Sequence, residues 1–158
     1  MKRTTLFRVF RFDPDTDAAP RFDTFQVETR EGMNVLEALF YIMENLDGSL
    51  AFRFSCRGAV CGSCAMFVNG SYRLACKTML VSLSYKEGQQ VTVEPGGNLH
   101  VIKDLVMDMK PFWDKVRGVQ PWLQPEGPEP QDEYIAPNEA MRHLAGVMNC
   151  IMCGACVN

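Results

Sequence analysis

The chain has 158 residues, 47% of them hydrophobic and 22% charged, with ten Phe and ten Met. That is enough to bury one good core, or two small domains that lean on each other, and it excludes a wholly disordered chain. A formal net charge of -3 supplies no basic field for nucleic acid, and seven cysteines, an odd number, exclude a framework in which every cysteine is paired.

The chain opens on Met1-Lys2-Arg3, but the residues that follow alternate, with Arg8 and Arg11 set between Leu6, Val9, Phe10 and Phe12. No apolar h-region follows the cations, so a secretory signal is not expected. No stretch is apolar over the length a membrane-spanning helix needs. The expected compartment is a reducing cytoplasm, where clustered cysteines are more often metal ligands than disulfides.

Residues 5–12 (TLFRVFRF) and 22–28 (FDTFQVE) alternate apolar and polar side chains on either side of a Pro14-Asp15 turn, which predicts an antiparallel hairpin. Asn34 with Glu37 three residues on is a variant capping box. Val35, Leu36, Leu39, Phe40, Met43 and Leu46 then follow at helical spacing up to Gly48. Residues 65–69 and 71–75, joined at Asn69-Gly70, predict a second hairpin. Residues 90–94 (QVTVE) predict one more strand before Pro95-Gly96-Gly97. Strand, strand, helix, strand, strand, strand is an α+β layout, with one helix packed across a mixed sheet.

After Gly97 the pattern turns helical. Asn98 is placed to cap a helix whose apolar face is Leu99, Ile102, Leu105, Val106 and Met109, stopped or kinked at Pro111. Gln124 to Pro137, with Pro125, Pro128 and Pro130, predicts an extended loop. A short helix is predicted from about Asn138 through Met141, Leu144, Ala145 and Met148 into Cys150. The chain therefore divides into a β-rich domain, 1–97, and a helical one, 98–158.

Cys56, Cys61, Cys64 and Cys76 form C-x4-C-x2-C-x11-C, whose first three positions have the plant-type ferredoxin spacing for a two-iron [2Fe-2S] cluster on four thiolates. A loop wrapped round two irons must gather its sulfurs while aiming backbone N–H groups at the cluster. Gly58 and Gly62 let the backbone come close, and Ser63 offers a hydroxyl donor. Structural zinc is the alternative; it usually uses two C-x2-C knuckles, and only one short pair is present here. Cys150, Cys153 and Cys156 form C-x2-C-x2-C, the first three positions of the bacterial four-iron [4Fe-4S] run. That run predicts its next cysteine at position 160. The alternative is zinc on three Cys and a His, with His143 nearest.

These segments resemble the iron-sulfur subunit family of succinate dehydrogenase and fumarate reductase. The resemblance rests on Arg11-Phe12-Asp13-Pro14, SCRGAVCGSCAMFVNG (55–70), LACKT (74–78), VIKDLVMDM (101–109), PFWDKV (111–116), QPWL (120–123) and CIMCGAC (150–156). It implies a ferredoxin-like β-grasp domain followed by an α-helical ferredoxin domain that is C-terminally incomplete. By matched position, Cys56, Cys61, Cys64 and Cys76 hold the two-iron cluster, and Cys150, Cys153 and Cys156 hold three corners of the four-iron one. The remaining cubane ligand and a three-iron [3Fe-4S] cluster are expected only if the chain continues beyond Asn158.

The implied function is electron relay, one electron at a time, in the non-catalytic subunit of a tricarboxylic acid cycle oxidoreductase. Its implied partners are an FAD-containing flavoprotein subunit and a membrane anchor subunit with quinone, with no nucleic acid. Its implied place is cytoplasmic, peripheral on the inner face of the cell membrane. The cofactors carry the redox chemistry, and no side chain is expected to be catalytic. His100 and His143 are expected on a helix face and on the surface, and Trp113 and Trp122 in packing. Arg57 and Arg73 flank ligand cysteines, where they offset cluster charge or are simply solvated. Two rivals are the iron-sulfur part of a molybdenum hydroxylase, which requires a second two-iron pattern, and a free-standing ferredoxin carrier, which should close its own sites.

Overall fold

The computed structural model describes residues 3–83, 90–97, 99–125 and 127–157. Strands β1 (Arg3–Arg11) and β2 (Arg21–Thr29) pair antiparallel, as their alternation predicts, with Phe7 opposite Phe25. Thr5, Phe7, Val9 and Arg11 of β1 point inward, while Arg8 faces out and stacks over the Phe22 ring at 3.8 Å.

Helix α1 (Val35–Asn45) starts at a complete capping box. The Glu37 N–H donates to Asn34 Oδ1, and the Asn34 N–H donates to Glu37 Oε2, each at 2.9 Å. Such a cap contributes about 1 kcal/mol by satisfying donors the first turn leaves open. The buried face is Val35, Leu36, Ala38, Leu39 and Ile42; Leu46, expected on it, is exposed. Ile42 sits closer to the centre of that stripe, and Leu46 falls at the cap, past the last helical residue.

Strands β3 (Ala65–Val68), β4 (Ser71–Leu74) and β5 (Gln90–Glu94) complete a five-stranded sheet in the order β2-β1-β5-β3-β4. Asn69 and Gly70 both have positive φ, 50° and 72°, which matches the right-handed twist of the hairpin they join. Asn69 also exchanges hydrogen bonds with Thr92 on β5, donating its N–H at 2.9 Å and accepting at Oδ1 at 2.8 Å. β1 and β5 run parallel, with Phe7 beside Val91 and Val9 beside Val93. These residues and the inner face of α1 share one core. Each large side chain buried there contributes about 1.5–3 kcal/mol. The result is the α+β layout that the order of elements predicts, with the ferredoxin-like fold that the resemblance implies.

The segment after Gly97 departs from expectation. Residues 101–107 form a second, two-stranded sheet, β6 (Val101–Lys103) and β7 (Val106–Met107), where a helix was predicted; the expected cap, Asn98, lies outside the described residues. Asp104 explains the difference. Its backbone is left-handed, φ 48°, and its N–H donates to Phe12 O at 2.8 Å. Its carboxylate accepts from Arg11 Nε (3.0 Å), Phe12 N (3.0 Å) and Ala51 N (2.9 Å). Three donors from distant segments outweigh a weak helical periodicity. Leu105 and Met107 are buried at strand spacing and Ile102 is exposed.

Pro111 does not stop a helix but sits near the start of one, α2 (Lys110–Val119), where its missing N–H costs nothing. Helix α3 (Asn138–Met148) falls where predicted, and none of its described residues is buried. Between them, the described residues 121–125 and 127–137 carry no helix or strand.

Candidate iron-sulfur centre

The first cysteine loop leaves the core at Leu50 and is supported by an aromatic cluster. Phe40 packs edge-on against Phe52 (5.3 Å between centroids) and Phe54 (4.6 Å). The Arg57 guanidinium lies over the Phe40 and Phe54 rings, 4.7 and 5.3 Å from their centroids. Arg57 is therefore stacked on rings rather than simply solvated, with its charge next to the loop.

Arg57 and Ala59 take left-handed backbone angles, φ 55° and 62°, and Gly62 follows at 72°. The winding turns the N–H groups of Gly58, Val60 and Cys61 onto Cys56 Sγ at 3.3, 3.4 and 3.4 Å. The Cys56 N–H in turn donates to Cys61 Sγ at 3.5 Å. A cage of backbone donors round sulfur is suited to thiolate, not to a neutral thiol. Of the two glycines, only Gly62 is demanded by geometry; a Cβ on Gly58 would make only ordinary contact, 3.7 Å from Cys56 O.

The other two sulfurs lie inside. Cys64 precedes β3 and Cys76 follows β4, both buried, and the Ala75 N–H donates to Cys64 O at 3.0 Å. The two ends of the hairpin thus present their thiols together at the inner wall of the loop. The Ser63 hydroxyl and the Cys56 N–H pull the Cys61 thiol down to about 6, whereas burial pushes Cys64 up to about 11. A buried thiol of that kind ionises when a metal takes its electron pair. The donor set fits a two-iron cluster: the exposed Cys56 and half-buried Cys61 sulfurs, supplied with N–H donors, on one side, and buried thiols on the other. Among the described residues, no three His, Cys, Asp or Glu side chains gather round a single ion-sized point. A two-iron cluster divides its thiolates between two irons and requires no such point.

Cys150, Cys153 and Cys156 follow the end of α3 in a tight turn. Met152 (φ 55°) and Gly154 (φ 79°) are left-handed, and the Met152 N–H donates to Cys150 Sγ at 3.5 Å. The turn is not free. Gly154 and Val157 are buried, and the Tyr72 hydroxyl donates to Cys153 O at 3.0 Å. A cavity of about 180 Å³ between the two cysteine segments is lined by Cys61, Ser63, Met66, Leu105, Trp113 and Cys153.

Residues 6–114 match the family described as 2Fe-2S iron-sulfur cluster binding domain. The chain belongs to that family. Its matched span contains Cys56, Cys61, Cys64 and Cys76, while the second cysteine turn lies beyond it.

Among curated relatives, the chain is 36% identical over 154 residues to the mitochondrial succinate dehydrogenase iron-sulfur subunit of Dictyostelium discoideum, covering 95% of this chain and 53% of that one. It is 40% identical over 153 residues to the fumarate reductase iron-sulfur subunit of Mycobacterium tuberculosis, covering 94% and 61%. Its fold superposes with a TM-score of 0.87 on a chain of the Mycobacterium smegmatis Sdh1 complex in the apo form, at 29% identity, covering all of this chain and 64% of that one. The chain therefore spans between about half and three fifths of the length of these curated relatives.

Sequence reasoning missed several contributors to the family's site. Tyr72 alternates correctly for a strand, and nothing local marks its hydroxyl as a contact to residue 153. Phe40 was visible only as part of the helix stripe, and nothing in the pattern singled out Phe52 and Phe54, which pack on it. His100 is exposed and lies outside any helix or strand, and Phe112 is buried while its neighbour Trp113 is exposed.

Proposed function

We propose that this chain is the electron-relay iron-sulfur subunit of a succinate dehydrogenase or fumarate reductase complex. In this reading Cys56, Cys61, Cys64 and Cys76 hold a two-iron cluster, and Cys150, Cys153 and Cys156 hold three corners of a four-iron one. The observation that carries it is the loop at 56–64, where three N–H groups converge on Cys56 Sγ beside the two buried thiols. A bound cluster supplies reversible one-electron oxidation and reduction.

The protein's own residues do the rest. The N–H groups of Gly58, Val60 and Cys61 stabilise negative charge on sulfur, which raises the reduction potential. Arg57, held over two rings, adds positive charge on the same side. Cys64 and Cys76, in the core, exclude water from the inner half of the site. In this reading the substrate chemistry belongs to another subunit.

The partners this function requires are an FAD-containing flavoprotein subunit and a quinone-binding membrane anchor. None of the helices among the described residues is long and apolar enough to cross a membrane. In this reading the anchor provides attachment on the inner face of the cell membrane.

The test is anaerobic purification with iron and acid-labile sulfide analysis, followed by low-temperature EPR after reduction. A reducible two-iron signal and co-purification of a flavin-containing subunit are expected. Zinc without labile sulfide overturns the reading. An iron-sulfur protein that never associates with a flavoprotein supports the free-carrier alternative instead.

A further inference from the structure

The two cysteine segments, 86 or more residues apart in the chain, touch through their backbones. At Gly62 an added Cβ would stand 2.5 Å from Ile151 O and 3.0 Å from both Cα and Cβ of Cys153. Those neighbours are backbone atoms and the root of a side chain, so no rotamer change relieves the clash. Gly62 also carries φ +72°, which independently favours glycine. Any side chain here would drive the second cysteine turn away from the first.

On the other side of the contact, the Tyr72 hydroxyl donates to Cys153 O at 3.0 Å. Tyr72 is itself fixed: its ring stands perpendicular to Phe67, 5.2 Å between centroids. A Cβ on Gly96 would come within 2.8 Å of its oxygen. Gly62 lies between Cys61 and Cys64, and Cys153 is the middle cysteine of its turn. Ligand-bearing stretches thus meet directly, without long side chains between them.

We propose that Gly62 and Tyr72 are positioning residues that hold Cys153 against the Cys61–Cys64 stretch, so that the Gly62–Cys153 backbone contact fixes the separation of the two cysteine segments. This rests on the cluster assignment proposed above. Neither residue is a ligand; each acts through where it places Cys153.

The experiment uses the full chain with Cys153→Ala and Cys156→Ser, which retain the Cys153 carbonyl and Cβ. The two-iron cluster is loaded first, and a gadolinium spin label is then attached to the exposed Cys150. Pulsed EPR reads the distance from the reduced cluster to the label. A single narrow distance is expected in this parent. Tyr72→Phe, which removes only the hydrogen bond, should broaden the distribution and lengthen its mean, with the two-iron EPR signal and melting temperature unchanged. Gly62→Ala should broaden and lengthen it more strongly, at a cost in melting temperature; if it fails to take up iron, Tyr72→Phe alone decides. An unchanged narrow distribution in Tyr72→Phe, or a broad one already in the parent, overturns the proposal. A parent without a two-iron signal defeats the cluster assignment itself, a failure recognised before any variant is compared.

Discussion

Arg11 and Asp104, 93 residues apart in sequence, form a buried ion pair with Nε 3.0 Å from Oδ1. Arg11 is the last residue of β1, and it also bonds Asp47 after α1 and the Ser49 hydroxyl, the latter at 2.7 Å. Asp104 turns the β6–β7 hairpin back onto Phe12 and Ala51. The pair therefore ties the first strand, the exit of α1 and the later hairpin into one piece, directly beneath the start of the cysteine loop.

Removing Asp104 takes one acceptor from three donors, Arg11 Nε, Phe12 N and Ala51 N, while Asp47 still faces the guanidinium. Asp104→Ala is expected to cost about 1–3 kcal/mol, the penalty of leaving buried donors without their acceptor. Asp104→Asn keeps an acceptor for some of them and should cost less. Urea denaturation of the three proteins, compared at constant m-value, measures both. Equal midpoints for wild type and Asp104→Ala would sink the idea that this pair holds the hairpin in place.

Asp47 sets an acid limit on the same network. The Ser49 hydroxyl, with Arg11 second, pulls its carboxyl down to about 2 from an ordinary 3.8. A depressed folded value means the stabilisation is present above the unfolded value and is lost as pH falls. Stability should therefore decline as pH drops from about 4 towards 2. Asp47→Asn should start lower at neutral pH and show a flatter curve across that window. Both proteins share the same cysteine sites, so the difference between their denaturation midpoints at each pH isolates Asp47. Parallel curves would refute the assignment.

The two cysteine sites should fail separately. Cys64→Ala is expected to abolish the two-iron EPR signal and remove its share of iron and labile sulfide. Cys153→Ala should leave that signal in place, since Cys153 belongs to the other segment. Iron analysis and EPR on the two variants, prepared side by side, make the comparison. Retention of a full two-iron signal by Cys64→Ala would take Cys64 out of the ligand set.

Much of the fold was legible because its signals are local. The alternation over residues 5–12, the Asn34–Glu37 box and the Asn69-Gly70 turn each act within a few residues, and each element forms where its signal lies. The segment 99–109 misled for the opposite reason. Its apolar residues fit a helical face, but the deciding interactions of Asp104 are made with Arg11, Phe12 and Ala51. The stripe on α1 was displaced similarly, since the sheet beneath it selects Ala38 and Ile42 over Leu46.

The thiol spacing of both segments was legible without the fold, because three cysteines within nine residues, or within seven, can be gathered by one turn of chain. Which thiols are buried and which stand in a cage of N–H donors was decided only by the tertiary structure, since Cys64 and Cys76 meet through the β3–β4 hairpin. The meeting of the two segments was likewise a tertiary outcome. Gly62 reads in sequence as one more glycine in a loop; only folding brings Ile151 and Cys153 to within a Cβ of it, where the lack of a side chain becomes a requirement.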